Sequence, residues 1–182
     1  MKKTFVMILM ATAAIGFAGQ AAAATPEAKA TYKAANDSAA AEYKVARAKC
    51  DSLTGNPKDV CIAEAKAARV LVEANAKAQY KDTLSARTAA TKDIADADYD
   101  VAKAKCGSQT GNAKDVCIKD AKANKVAAVS NAKADKKVIE ARTDARDDKN
   151  TAEYKVVLEK CDASTGAAKD ACVASAKTQF GR

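Results

Sequence analysis

Tyr32, Asn36, Ala39, Tyr43, Ala46 and Cys50 fall at alternating spacings of four and three, the seam of a helix packed on a partner. Cys61, Ala65, Ala68 and Val72 resume that rhythm a few residues later. Between the two stretches lies Thr54-Gly55, where a glycine can adopt a left-handed backbone and let the chain turn. Asn56 is suited to cap the returning helix, with Pro57 at its first position and Asp59 in its first turn. The pattern therefore predicts a helical hairpin, and the chain writes it three times. Residues 41–66 read AEYKVARAKCDSLTGNPKDVCIAEAK, residues 97–122 ADYDVAKAKCGSQTGNAKDVCIKDAK, and residues 152–177 AEYKVVLEKCDASTGAAKDACVASAK. Asn112 and Asp115 repeat the cap of the first copy. In the third copy Ala167 replaces the asparagine, which predicts a weaker cap, while Asp170 keeps its place.

Hairpin turns are expected near 52–56, 107–112 and 162–167 of one repeat domain spanning 25–182. Residues 58–106 and 112–165 contain neither Gly nor Pro, so the stretches between turns are expected to be continuous helices on the order of 70 Å long. The alternative is a bend or break near Lys81–Leu84 and Lys137–Ile139. There QYKDTLS (79–85) aligns with the six residues DKKVIE (135–140), and a one-residue change rotates a helix by about 100°.

The cysteines recur at Cys50, Cys106 and Cys161, each with a partner eleven positions later at Cys61, Cys117 and Cys172. Each pair straddles its turn nearly symmetrically, which places the two residues opposite each other on antiparallel helices. Of the 15 pairings six cysteines allow, only Cys50–Cys61, Cys106–Cys117 and Cys161–Cys172 treats the copies alike. Zinc sites and redox catalysts favour Cys-x-x-Cys spacing, so these cysteines read as structural staples. The fold class expected is all-α: long antiparallel helices forming disulfide-stapled hairpins, an elongated coiled-coil-like bundle.

Composition supports that reading. The chain has 182 residues and 47 alanines, and residues 25–182 hold 20 Val, Leu or Ile, five Tyr and one Phe. So few large apolar side chains suit alanine-lined helices at close range better than a thick core. The absence of histidine removes the commonest general base and metal ligand. With no glycine-rich phosphate loop, paired catalytic carboxylates or activated nucleophile, a non-enzyme without cofactor or catalytic residue is expected.

Residues 1–24 (MKKTFVMILMATAAIGFAGQAAAA) join Lys2 and Lys3 to the apolar stretch Thr4 to Phe17 and the small residues Ala22-Ala23-Ala24. That is the form of a secretory signal cut after Ala24 and too short to span a bilayer, so a periplasmic product without a transmembrane segment is expected. Export suits the disulfides. The net charge is +8, or +6 without residues 1–24. In that compartment the partner expected is a protein or an anionic envelope component, not nucleic acid, with oligomeric state open.

Other candidates read as surface. Asp93, Asp96 and Asp100, with Asp98 nearby, share a helix face without the turn of a calcium loop, as do Asp144, Asp147 and Asp148. Lysines 119, 122, 125, 133, 136 and 137 form the most basic stretch, the ordinary charged face of a long helix. Tyr43, Tyr99 and Tyr154 each precede a cysteine by seven residues, which predicts packing beside the bridge rather than a stacking platform for sugars or bases.

The signal segment, the AEYK…KC…TGN.KDVC…AK units and the Ala-Lys texture of 25–182 resemble exported Ala/Lys-rich proteins of Gram-negative bacteria termed TolA-like, or cell envelope biogenesis, proteins. The resemblance implies a helical envelope protein and transfers no functional residue. The functional expectation is a non-catalytic envelope-associated structural or interaction module. The alternative is a hydrophilic stress-protective protein of the desiccation type, suggested by the Ala-Lys-Asp-Thr texture of 74–96, against which the bridges and repeated turns count.

Overall fold

The computed structural model describes residues 25–182; residues 1–24, where a secretory signal is expected, lie outside the described residues. Five helices follow one another: α1 (Pro26–Lys49), α2 (Gly55–Lys81), α3 (Leu84–Lys105), α4 (Gly111–Cys161) and α5 (Gly166–Phe180). No strand is present among the described residues. Thr25 starts α1 by accepting a hydrogen bond from the Ala28 amide at 3.1 Å, with Pro26 in the first turn and Glu27 against the positive helix end.

Three turns share one geometry. Thr54, Thr110 and Thr165 are extended, and Gly55, Gly111 and Gly166 follow at φ +60°, +55° and +58°. A side chain at these glycines would be strained. Two of the turns are entered through a 3₁₀ turn, Cys50–Ser52 and Cys106–Ser108. The helices that leave them carry no side-chain cap. Asn56 does not cap α2 as its position suggested. Its Nδ2 donates instead to the Ala104 carbonyl of α3 at 2.6 Å. The expectation of a weaker cap at Ala167 loses its basis, since the backbone makes all three turns alike.

Consecutive helices pack antiparallel: α1 on α2, α2 on α3, α3 on the first half of α4, and α5 on the end of α4. The interior is alanine and sulfur. Cys50, Cys106 and Cys161 are fully or almost fully buried, and Ala65, Ala121 and Ala176, each four residues beyond the second cysteine of its pair, are buried against the opposite helix. Small side chains let helix axes approach closely, which suits a chain with few large apolar residues.

Two expectations fail in α2. Ala68 and Val72 point outward rather than continuing the seam, Val72 at 38% exposure. Burial passes to Ala74 and Ala78, which meet Ala90 and Ile94 of α3. A heptad reading assumes one partner, whereas α2 serves two. The expected continuous helix over 58–106 also breaks. Asp82 takes the left-handed conformation at φ 42°, and Thr83 starts α3 by accepting from the Ala86 amide at 3.1 Å. By contrast α4 passes straight through Lys137–Ile139 and runs for 51 residues, about 75 Å.

Candidate functional site

The bridges Cys50–Cys61, Cys106–Cys117 and Cys161–Cys172 close the three hairpins with Cα separations of 5.6, 5.7 and 5.6 Å. No cysteine is free. In each bridge the first sulfur is buried and the second half-buried, so the three staples present the same face to a reductant. The first two lie at one end of the α1–α4 meander, where Asn56 spans from the first turn to the carbonyl ahead of the second. Gly107 fits there because a side chain at that position would run into the Asn56 amide.

Beside each bridge stands a tyrosine with a cation from the returning helix or, in the third unit, from just beyond its end. The Arg69 guanidinium lies 5.6 Å from the Tyr43 ring centre, and the Lys125 ammonium 5.3 Å from that of Tyr99. Tyr154 has Phe180 at 5.7 Å and the Arg182 guanidinium at 5.7 Å. Arg69, Lys125 and Phe180 occupy one repeat position, eight residues beyond the second cysteine. Such contacts hold exposed helices in register at about 0.5–1 kcal/mol each. Sequence reading placed these tyrosines at the bridge but missed their partners, for which the constant eight-residue offset was the available signal. Tyr32 stacks on Tyr80 at 4.9 Å and joins the far ends of α1 and α2.

The acidic face of α3 is largely spent on ion pairs. Asp96 meets Lys125 at 2.7 Å and Asp100 meets Lys66 at 3.6 Å. The hydrogen bond to Asp96, reinforced by the carboxylate charge, holds the Lys125 ammonium above the ordinary lysine range. Asp93 lines an open groove of about 460 Å³ with Tyr32, Asn36, Glu73 and Lys77, while Asp98 faces solvent. On α4 Asp147 lies 3.5 Å from Arg146, and Asp144 and Asp148 are exposed. Among the described residues no three Cys, His, Asp or Glu side chains are gathered so as to hold a metal ion.

Of the basic stretch, Lys125 is committed to Asp96 and Lys136 to Glu140 at 3.4 Å. Lys119, Lys122, Lys133 and Lys137 are exposed. No described helix is long and apolar enough to cross a membrane.

What sets the molecule apart is the stretch of α4 between its two packed ends. Nine of the eleven residues 140–150 are exposed. Comparison with family models, curated proteins and solved structures returned no match.

Proposed function

We propose that the chain is a non-catalytic structural module of the cell envelope, exported through residues 1–24, that holds its third hairpin at a set distance from the α1–α4 meander. The observation that carries this reading is the continuity of α4, which projects the Cys161–Cys172 hairpin beyond the packed helices on a single rod. A bare helix of 140–150 adds about 16 Å of separation without a flexible linker. The bridges give each end a closed shape, and in an oxidising compartment they persist. The positive surplus of the chain favours weak attachment to anionic envelope material over a defined pocket.

Photo-crosslinking from an exposed position of the third hairpin, such as Lys169, in living cells tests the reading. A single envelope partner captured there, and not from Lys44 on α1, is the expected result. Recovery of the chain in the cytoplasm with reduced cysteines, or crosslinks of equal yield from both positions, overturns it.

A further inference from the structure

The α2–α3 interface has a repeat counterpart that the chain leaves open. Shifting α2 by 56 residues and α3 by 55 carries their facing residues onto α4. Val70, Ala74 and Ala78 become Val126, Ser130 and Ala134; Ala90 and Ala97 become Ala145 and Ala152. At 100° per residue all five fall on one side of α4, with Val138 and Ala141 between them. Every one of these seven residues is exposed, Val126 at 53% and Val138 at 47%. The side of α4 that meets α3 carries Cys117 and Ala121 and the side that meets α5 carries Tyr154 and Cys161, both well away from this row.

In the first two units these surfaces meet because the chain bends at Asp82–Thr83. Along the straight α4 they lie end to end, and two copies placed antiparallel would bring each onto the other. We propose that the protein forms a two-fold dimer through α4, centred near Val138, in which the α2–α3 packing is repeated between chains.

Charge supports this occupant. The register of the observed interface, set by Lys66 against Asp100, opposes Lys77 to Ala89 and Gln79 to Arg87. Carried to α4, the same register opposes Lys133 to Asp144 and Asp135 to Arg142 of the second copy. In both of these pairs the charged member lacked a charged mate across the α2–α3 interface, and between copies its counterpart faces one of opposite sign. Within one α4 these partners are seven and eleven residues apart, beyond the reach of i,i+4 pairing. None of the four makes an ion pair within its own chain, among the described residues. Two-fold symmetry makes both pairs twice.

Toward the ends the correspondence weakens. Ile94 becomes Lys149, Asp100 becomes Lys155 opposite Lys122, and Gly107 becomes Asp162. The contact is therefore centred on 126–145 and weaker than its intrachain counterpart.

Sedimentation equilibrium of the oxidised protein from about 1 µM to 1 mM reads the association directly. A reversible monomer–dimer equilibrium is expected. Asp135→Arg should weaken it about tenfold by opposing like charges twice, and Asp135→Arg with Arg142→Asp in one chain should restore it. Val138→Cys should form an interchain disulfide under mild oxidation at least about tenfold faster than Asp147→Cys, which lies off the row. A monomer throughout the range, equal rates for the two cysteine variants, or no rescue by the double reversal overturns the proposal.

Discussion

Two junctions join the three hairpins, and they differ by one residue. Lys81-Asp82-Thr83-Leu84 folds back on itself, whereas Lys137-Val138-Ile139 stays helical. With Asp82 taken as the extra residue, Thr83 stands opposite Val138. Asp82 is the left-handed residue, its amide donating to the Ala78 carbonyl at 2.9 Å and its carboxylate contacting Arg87. Thr83 is the cap. The second junction supplies neither a residue tolerant of the left-handed conformation nor a hydroxyl for the next helix. The surfaces differ too, with Ile94 replaced by Lys149 and Ala74 by Ser130. A bent and a straight junction thus come from nearly the same repeat, through a cap and the packing it permits.

The largest effect should follow from exchanging the junctions. Deleting Asp82 together with Thr83→Val should straighten α2 into α3 and expose Ala74, Ala78 and Ala90, at a cost of several kcal/mol for losing that interface. The converse change inserts Asp between Lys137 and Val138 with Val138→Thr, and should let α4 bend. Spin-label distances between the Cys50–Cys61 end and the third hairpin, set by the length of α4 in the native chain, should shorten sharply in both variants. Straightening α2 into α3 carries the first turn along α4, and bending α4 carries the third hairpin back. If the deletion variant keeps its bend, packing rather than the cap sets the junction.

Bridge removal should rank next and should separate the buttressed hairpins from the lone one. In the chain-entropy account each closure contributes roughly 3 kcal/mol. Without Cys161–Cys172, α5 is a 15-residue helix against a single neighbour, a length that is marginal alone. Cys161→Ala with Cys172→Ala should expose 166–182 to limited proteolysis while 26–139 survives. Although α1 also packs on a single neighbour, Cys50→Ala with Cys61→Ala should leave it docked. Its 24 residues bury a longer face than the 15 of α5 and add the Tyr32–Tyr80 stack to the tyrosine–cation contact that both hairpins have. Equal proteolysis of α1 and α5 in the two variants would remove the distinction.

The hairpins and their bridges were legible because Cys-x10-Cys across a Thr-Gly turn repeats three times and admits one uniform pairing. The choice between junctions was not. Absence of Gly and Pro suggested continuity at both, and the one-residue difference marked both places without saying which would break. The decisive signal was Asp-Thr ahead of Leu84, a helix start that Val138 lacks. Asn56 was misplaced for a related reason: its sequence position suits a cap, but only the fold brings Ala104 within its reach. Ala68 and Val72 were misassigned because periodicity cannot show that α2 has two partners. The tyrosine partners were missed because Arg, Lys and Phe at one repeat position share no residue type.

A smaller effect isolates the cap. Thr83→Ala should destabilise the protein by about 1 kcal/mol, since it removes the acceptor for the Ala86 amide. Val138→Ala at the aligned position should be neutral or slightly favourable, because alanine is the better helix former. Urea melts followed by circular dichroism measure both. Equal costs would mean that Thr83 acts through something other than its hydroxyl.

The smallest effect lies at the hairpin tips, where a single side chain again distinguishes neighbouring units. Asp51 accepts from Arg47 at 2.8 Å and meets Lys58 at 3.2 Å across the first turn, and Asp162 meets Lys169 at 2.9 Å across the third. The second turn has Gly107 at that position, where a side chain would have to displace the Asn56 amide, so Lys114 has no carboxylate opposite. The hydrogen bond from Arg47, then that from Lys58, holds the Asp51 carboxyl below its ordinary value of 3.8. A folded-state value below the unfolded one favours folding where the carboxylate is ionised in both states. The gain is therefore complete above 3.8 and is lost as pH falls through the lower folded value. Because the pair is exposed, the gain is small and fades with salt. Asp51→Asn should melt slightly below wild type near neutral pH, and the two should converge in strong acid. An offset that persists in acid would show that Asp51 acts through its local hydrogen-bond geometry rather than its charge.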